Sequence, residues 1–148
     1  MAINTRDEYL YFLATQQAWL YAQPQDTQDK VCNGIGSQAN WVFAKLNFKG
    51  WLYRRIKPAV DKHDIAYCCG GGENHKMWAD DNLENELDNT AGAVFFLLRG
   101  YVTSIIDRVM TVIRPLGELA FEHRAEPITI KEYLATIEQG IQNAGAIK

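Results

Sequence analysis

The stretch Pro58–Leu87, PAVDKHDIAYCCGGGENHKMWADDNLENEL, decides how the rest of the chain is read. Two segments of helical periodicity flank three glycines, Gly70, Gly71 and Gly72. Pro58 suits a first helical turn, where its missing N–H would lack an intrahelical partner, and Gly70 suits a helix end because it adopts positive φ freely. The expectation is an antiparallel hairpin of two helices. On the first, Ile56, Val60, His63 and Tyr67 recur at steps of four, three and four residues and share one face. On the second, Met77, Asp80, Leu83 and Leu87 do the same, while Asp81 turns to the flank. Each inward stripe therefore carries one polar residue where an apolar one belongs. His63 lies seven residues before Gly70 and Asp80 eight after Gly72, so the two fall at matching depth. A lone carboxylate is rarely buried, and a hydrogen bond between the pair satisfies both.

Asp64 is rotated about 100° from His63 on the same helix, so it points along a neighbouring face. A hard cation such as calcium takes carboxylate and backbone carbonyl oxygens, and a glycine-rich loop aims several carbonyls at one point. Such a segment stands upstream, at Cys32-Asn33-Gly34-Ile35-Gly36.

Taken in order, Gly34-Ile35-Gly36, His63-Asp64-Ile65-Ala66-Tyr67 and Ala79-Asp80-Asp81-Asn82-Leu83 resemble the motifs of the phospholipase A2 family. Those motifs are a Gly-x-Gly calcium loop, a His-Asp-x-x-Tyr helix and an Asp on the antiparallel partner helix. The long interval between loop and histidine, with Pro58 and Asp61 leading in, is more similar to the parvoviral capsid version than to the venom or pancreatic enzymes. The resemblance covers roughly residues 32–98. It implies an all-α, phospholipase A2-like helical hairpin with additional N- and C-terminal helices. It further implies His63 as general base, Asp80 as the group that fixes its tautomer, and Tyr67 as a support for Asp80. Ca2+ would be held by Asp64 and the carbonyls of Cys32, Gly34 and Gly36. The implied reaction is hydrolysis of the sn-2 ester of a glycerophospholipid at a membrane surface. The chain departs from the secreted enzymes in holding three cysteines rather than a disulfide framework. Val60 stands where their histidine helix carries a cysteine, and Cys32 where an aromatic or apolar residue heads the loop.

Two other readings stand beside this one. A phospholipase-like module that has lost turnover would serve as a structural or membrane-binding part of a larger assembly, such as a virion or a secretion machine. An unrelated all-α interaction protein would use its aromatic N-terminal helix as an interface.

Length and composition agree with one domain spanning residues 1–148. With 47% hydrophobic and 22% charged residues and a formal net charge of −3, the chain reads as an ordinary globular protein, with no general call for nucleic acid as partner. Cys32, Cys68 and Cys69 are too few for a disulfide framework, although a bridge from Cys32 to Cys68 or Cys69 stays open. With His75 they could also be weighed as zinc ligands, but adjacent cysteines on a helix diverge by about 100° and no matched Cys-x₂-Cys pairs exist. The N-terminus has no basic segment leading into an apolar run, so no signal peptide is expected. Delivery as part of a virion or by a non-classical secretion route would then follow cytoplasmic synthesis. The longest apolar tract, residues 91–113, carries Arg99, Asp107 and Arg108 and is expected to be a buried amphipathic helix rather than a membrane span.

The remaining elements follow from local signals. Thr5-Arg6-Asp7-Glu8 is a capping box, predicting a helix over about 6–22 with Tyr9, Phe12, Leu13, Gln16, Trp19 and Leu20 as its core face. Residues 23–30 contain Pro24 and read as a polar loop. Residues 40–57 interleave Trp41, Trp51 and Tyr53 with Lys45, Lys49, Arg54 and Lys57, a mixture that suits either a phospholipid surface or an element packed on the core with a wet cationic face. The Asp80 stripe continues through Ala91, Val94, Leu98, Tyr101 and Ile105, predicting that the second helix runs on past Asn89-Thr90, with a bend at Gly92 or Gly100, until Pro115 ends it. Residues 117–127 follow as a mostly polar stretch with a helical turn around Leu119 and Phe121. Thr129-Ile130-Lys131-Glu132 opens a last helix over about 130–143, with Ile130, Leu134, Ile137 and Ile141 inward.

Overall fold

The computed structural model describes residues 2–32, 51–93 and 96–145. Within them the chain forms α1 (Arg6–Tyr21), α2 (Gln25–Val31), α3 (Trp51–Cys69), α4 (Glu73–Gly92), α5 (Phe96–Ala120) and α6 (Ile130–Gly145). The described residues contain no strand and one isolated parallel bridge, Gly71 to His123, so the protein is all-α. No helix among them is long and apolar enough to cross a membrane.

Both capping boxes form. The Thr5 hydroxyl accepts from Glu8 N at 3.3 Å while the Glu8 carboxylate accepts from Thr5 N at 3.1 Å, and Thr129 with Glu132 repeats the arrangement at the start of α6. Tyr9, Leu13 and Leu20 of α1 are buried, and the Gln16 side chain accepts from Ile130 N at 3.1 Å, which ties α1 to the head of α6.

Several boundaries differ from those expected. Residues 25–31 form a helix rather than a loop: Pro24 precedes its first turn, Asp26 and Lys30 sit at the ends that the helix dipole favours, and Val31 is buried. Pro58 lies inside α3, not at its first turn. An interior proline costs about 3 kcal/mol through one lost hydrogen bond and a steric clash. Here Pro58 is exposed while Ile56, Ala59 and Val60 around it are buried, and their burial offsets that cost. The helix expected to run on with a bend at Gly92 or Gly100 is two helices, parted at the first of these glycines. α4 stops at Gly92, and α5 runs back along it, with Arg114 pairing Asp81 at 3.3 Å and Glu118 reaching Lys76 at 3.5 Å. α5 continues through Pro115, which is exposed, to Ala120. Met77 is 50% exposed and Ile141 68%, so neither is inward, and Tyr101 likewise faces solvent.

The hairpin of α3 and α4 is antiparallel and forms the centre of the molecule. Gly70 at φ 69° and Gly71 at φ 135° make its turn. The segment after α5 closes over that turn. Glu122 N donates to Tyr67 O at 3.3 Å, Gly71 N to Glu122 O at 3.1 Å, Arg124 N to Gly71 O at 3.0 Å and Ile128 N to Cys69 O at 3.0 Å. Carbonyls that the end of α3 leaves unpaired are thereby satisfied. One core cluster joins α3, α4 and α5 around Val60, Leu83, Leu87, Ile106 and Met110. The other joins α1 and α2 to the turn end of the hairpin around Tyr9, Leu13, Ile65, Ala79 and Phe121. His63 and Asp80 lie in the hairpin where the two clusters meet.

A Cβ added at Gly70 would strike the Glu122 carbonyl in a left-handed backbone conformation, whereas one added at Gly72 meets nothing within 4 Å. Gly70→Ala should therefore lower the unfolding free energy by more than about 1 kcal/mol, and Gly72→Ala by much less. Urea denaturation of the two variants side by side checks this, and equal effects would contradict the assignment of the turn.

Candidate functional site

The helical phase of α3 sets His63 and Tyr67 one turn apart on the face that meets α4. His63 Nε2 lies 2.9 Å from Asp80 Oδ1, and the Tyr67 hydroxyl donates to the same oxygen at 2.8 Å. All three residues are buried, at 4%, 4% and 8% exposure. An ionised carboxylate only accepts, so the hydrogen bond assigns the proton of neutral His63 to Nε2 and the lone pair to Nδ1. Asp81 is on the flank, where it meets Arg114 rather than the histidine.

Burial works to raise the Asp80 pKa, yet hydrogen bonds from His63, Lys76 and Tyr67 outweigh it and hold the carboxyl below its ordinary value. Tyr67 responds in the opposite direction: burial, then the Asp80 charge, push its phenol well above the usual range and keep it protonated as a donor.

Two residues near this pair carried no functional signal in the sequence. Lys76, one turn before Asp80 on α4, places its ammonium 3.0 Å from Asp80 Oδ2 while being only 8% exposed. A lysine four residues before an aspartate reads as an ordinary surface pair, and only the tertiary placement of α5 reveals that it is buried. Gly117 of α5 is the second. A Cβ there would collide with the Tyr67 hydroxyl, so the absence of a side chain lets α5 approach the pair. Phe121 then sets its ring edge-on to Tyr67 at 5.3 Å.

The expected calcium ligands are partly described. Asp64 is buried on a neighbouring face of α3. Cys32 closes α2 at the head of the glycine segment. Burial and then the charges of Asp61 and Asp64 push its thiol well above the usual range. Gly34 and Gly36 lie outside the described residues, as do Trp41, Lys45 and Lys49. Asp61 is buried and structural: it accepts from the Tyr21 hydroxyl at 2.7 Å and pairs with Lys57, fixing α1 against α3.

His75 and the cysteines do not assemble a zinc site among the described residues. Cys32, Cys68 and Cys69 are free thiols. His75 Nδ1 accepts from Gly72 N at 3.1 Å, which leaves Nε2 as the donor to Ile3 O at 3.0 Å, so both nitrogens serve the start of α4. The described side chains whose potential ligand atoms converge are Glu73, Glu118 and His123, within 4.8 Å of one another and all exposed.

Comparison of the chain with protein-family models, with curated proteins and with solved structures finds no match in any of the three.

Because the folded Asp80 pKa is depressed, its contribution to stability is present above the unfolded carboxyl value, about 3.9, and is lost as pH falls through the folded value. Asp80→Asn should be less stable than the parent at pH 7, with the difference shrinking below about pH 4. Tyr67→Phe removes one donor to a buried charge and should cost about 1.5–3 kcal/mol at neutral pH. Denaturation midpoints across pH measure both, and a pH-independent gap for Asp80→Asn would mean the carboxylate is not the group that titrates.

Proposed function

We propose that the protein is a calcium-dependent esterase that hydrolyses the sn-2 ester of glycerophospholipids with a histidine-activated water. What supports this reading is the buried contact of His63 Nε2 with Asp80 Oδ1 at 2.9 Å, with the Tyr67 hydroxyl on the same oxygen. The order of the three residues along the chain, which resembles that of the phospholipase A2 motifs, is a further support. A histidine held this way has its tautomer and ring plane fixed before substrate arrives.

In the proposed reaction, His63 Nδ1 takes a proton from a water molecule as the water oxygen bonds to the ester carbonyl carbon. The imidazolium that forms faces the ionised Asp80, which stabilises it without becoming protonated. His63 then returns the proton to the departing lysophospholipid oxygen as the carbon–oxygen bond breaks. The chain of atoms is complete with no covalent acyl-enzyme. Tyr67 keeps Asp80 aimed at Nε2 throughout.

Asp64 and the backbone carbonyls of Cys32, Gly34 and Gly36 are the groups that would hold calcium, whose charge would offset the negative charge developing on the carbonyl oxygen. A buried carboxylate next to His63 on α3 has the hard oxygen chemistry that such a cation takes. The substrate is a surface, and the cations between the glycine segment and His63 suit an anionic one. Arg54 is exposed, whereas Lys57 already pairs with Asp61 within α3.

The test is release of fatty acid and lysophospholipid from mixed phosphatidylcholine and phosphatidylglycerol vesicles, with calcium or with chelator. Release that chelation stops, that His63→Gln abolishes with the helical circular-dichroism signal unchanged, and that Asp80→Asn lowers by orders of magnitude is the expected result. Asp64→Asn should remove activity and calcium dependence together. Full activity in His63→Gln would defeat the mechanism, and no release by the folded parent protein would favour a binding or structural module on the same hairpin.

A further inference from the structure

Asp80 divides its hydrogen bonds between its two oxygens. His63 and Tyr67, both from α3, share Oδ1. Oδ2 receives the Lys76 ammonium at 3.0 Å. Lys76 is held in turn from α5: its ammonium lies 3.5 Å from Glu118 Oε2 and 3.5 Å from the Arg114 carbonyl. The two oxygens turn together about the Cβ–Cγ bond, a broad torsion in aspartate, so a displacement of Oδ2 carries Oδ1 away from His63 and Tyr67. A cleft of about 220 Å³ opens beside this side of Asp80, lined by Glu73, Lys76, Met77, Asp80, Asp81 and Arg114. Without the ammonium, Oδ2 would be a desolvated anionic oxygen next to that cleft, and swinging toward water there would relieve it.

We infer that Lys76 is the positioning residue of the His63–Asp80 pair, holding Oδ2 from the cleft side so that Oδ1 stays aimed at His63 Nε2. The role rests on the esterase reading and adds a residue to it. Lys76 does not touch the imidazole, so it acts through Asp80 and is not itself catalytic. A cation suits the position better than a neutral donor because the group it restrains is an ionised carboxylate in a buried setting. Glu118 and the Arg114 carbonyl keep the ammonium from following solvent, which makes the last turns of α5 part of the support. The Gly117 approach to Tyr67 comes from the same stretch, so one segment of α5 braces both sides of Asp80.

Lys76→Ala removes three methylenes and the ammonium, a fragment that n-propylammonium reproduces, and the cleft gives it a route. On a monomeric short-chain phospholipid, Lys76→Ala should lower kcat by about tenfold or more with KM little changed. Added n-propylammonium should restore kcat in a saturable way, and 1-propanol should not. Lys76→Gln, which keeps a donor without the charge, should fall between the parent and Lys76→Ala, and it replaces the alanine variant if that fails to fold. A second readout does not depend on turnover: the ¹⁵N imidazole spectrum of His63, assigned among the three histidines by its loss in His63→Gln. The neutral parent should show the Nε2–H tautomer, Lys76→Ala a mixture, and n-propylammonium should bring the single tautomer back. An unchanged tautomer in Lys76→Ala, or equal recovery with 1-propanol, overturns the assignment. A tautomer that responds as described in a protein that hydrolyses no ester would leave Lys76 as the positioning residue and refute the esterase reading alone.

Discussion

The charge on Asp80 is the constraint around which the described helices are arranged. Leaving a buried carboxylate without partners costs several kcal/mol, against a total stability of about 5–15 kcal/mol for a domain of this kind. The hairpin is therefore held to the register that brings His63 and Tyr67 of α3 to one oxygen and Lys76 of α4 to the other. A slip of α4 by one residue would rotate Asp80 by about 100° toward the flank and put Ala79 or Asp81 in its place. The apolar stripe of Leu83 and Leu87 specifies the same register, since both are buried in the cluster that α5 completes. Polar satisfaction and hydrophobic burial agree on one alignment, which is what allows a charged pair to be kept inside.

Closing the hairpin is a second requirement and is met from a distance in sequence. A helix ending at Cys69 leaves carbonyls exposed, and Glu122 N and Ile128 N, from the connection between α5 and α6, supply donors to Tyr67 O and Cys69 O. The same connection brings Phe121 against the Tyr67 ring, and Gly117 admits α5 to the hydroxyl side. Tyr67 is thus fixed at its backbone carbonyl, its ring and its hydroxyl. That rigidity is what a carboxylate needs from a neighbour if it is to orient an imidazole.

The parts of this arrangement that could be read from the sequence share a physical property: they are contradictions within a periodic pattern. His63 and Asp80 interrupt apolar stripes at equal distance from a glycine turn, and only their mutual pairing resolves the conflict. Helix starts at Thr5 and Thr129 were equally legible, because a capping box is a local object. Periodicity does not distinguish a helix that bends and continues from one that folds back in phase, so Gly92 read as a bend where the chain in fact reverses. Exposed prolines at 58 and 115 looked like boundaries because sequence alone does not reveal how much neighbouring burial opposes the break. Met77 and Ile141 sit on phases that read as inward, yet both are exposed. Lys76 and Gly117 belong to the site only through α5, and a lysine or a glycine in a helix carries no mark of a long-range partner. The glycine segment at Gly34 and Gly36 falls outside the described residues.

Two buried histidines on the same hairpin show what separates a structural role from a reactive arrangement. His75 spends both ring nitrogens on main-chain groups, accepting from Gly72 N and donating to Ile3 O, and so fastens the start of α4 and the N-terminal segment together. Neutral partners suffice for that purpose. His63 instead faces an ionised carboxylate that is oriented by a tyrosine and braced by a lysine. An anion and a cation are being kept in the interior where neutral groups would fill the space at less cost. The carboxylate directs the lone pair of the ring to Nδ1, on the side away from Asp80, and would stabilise the ring once it gained a proton. Both effects are what the proposed role of His63 as general base would require.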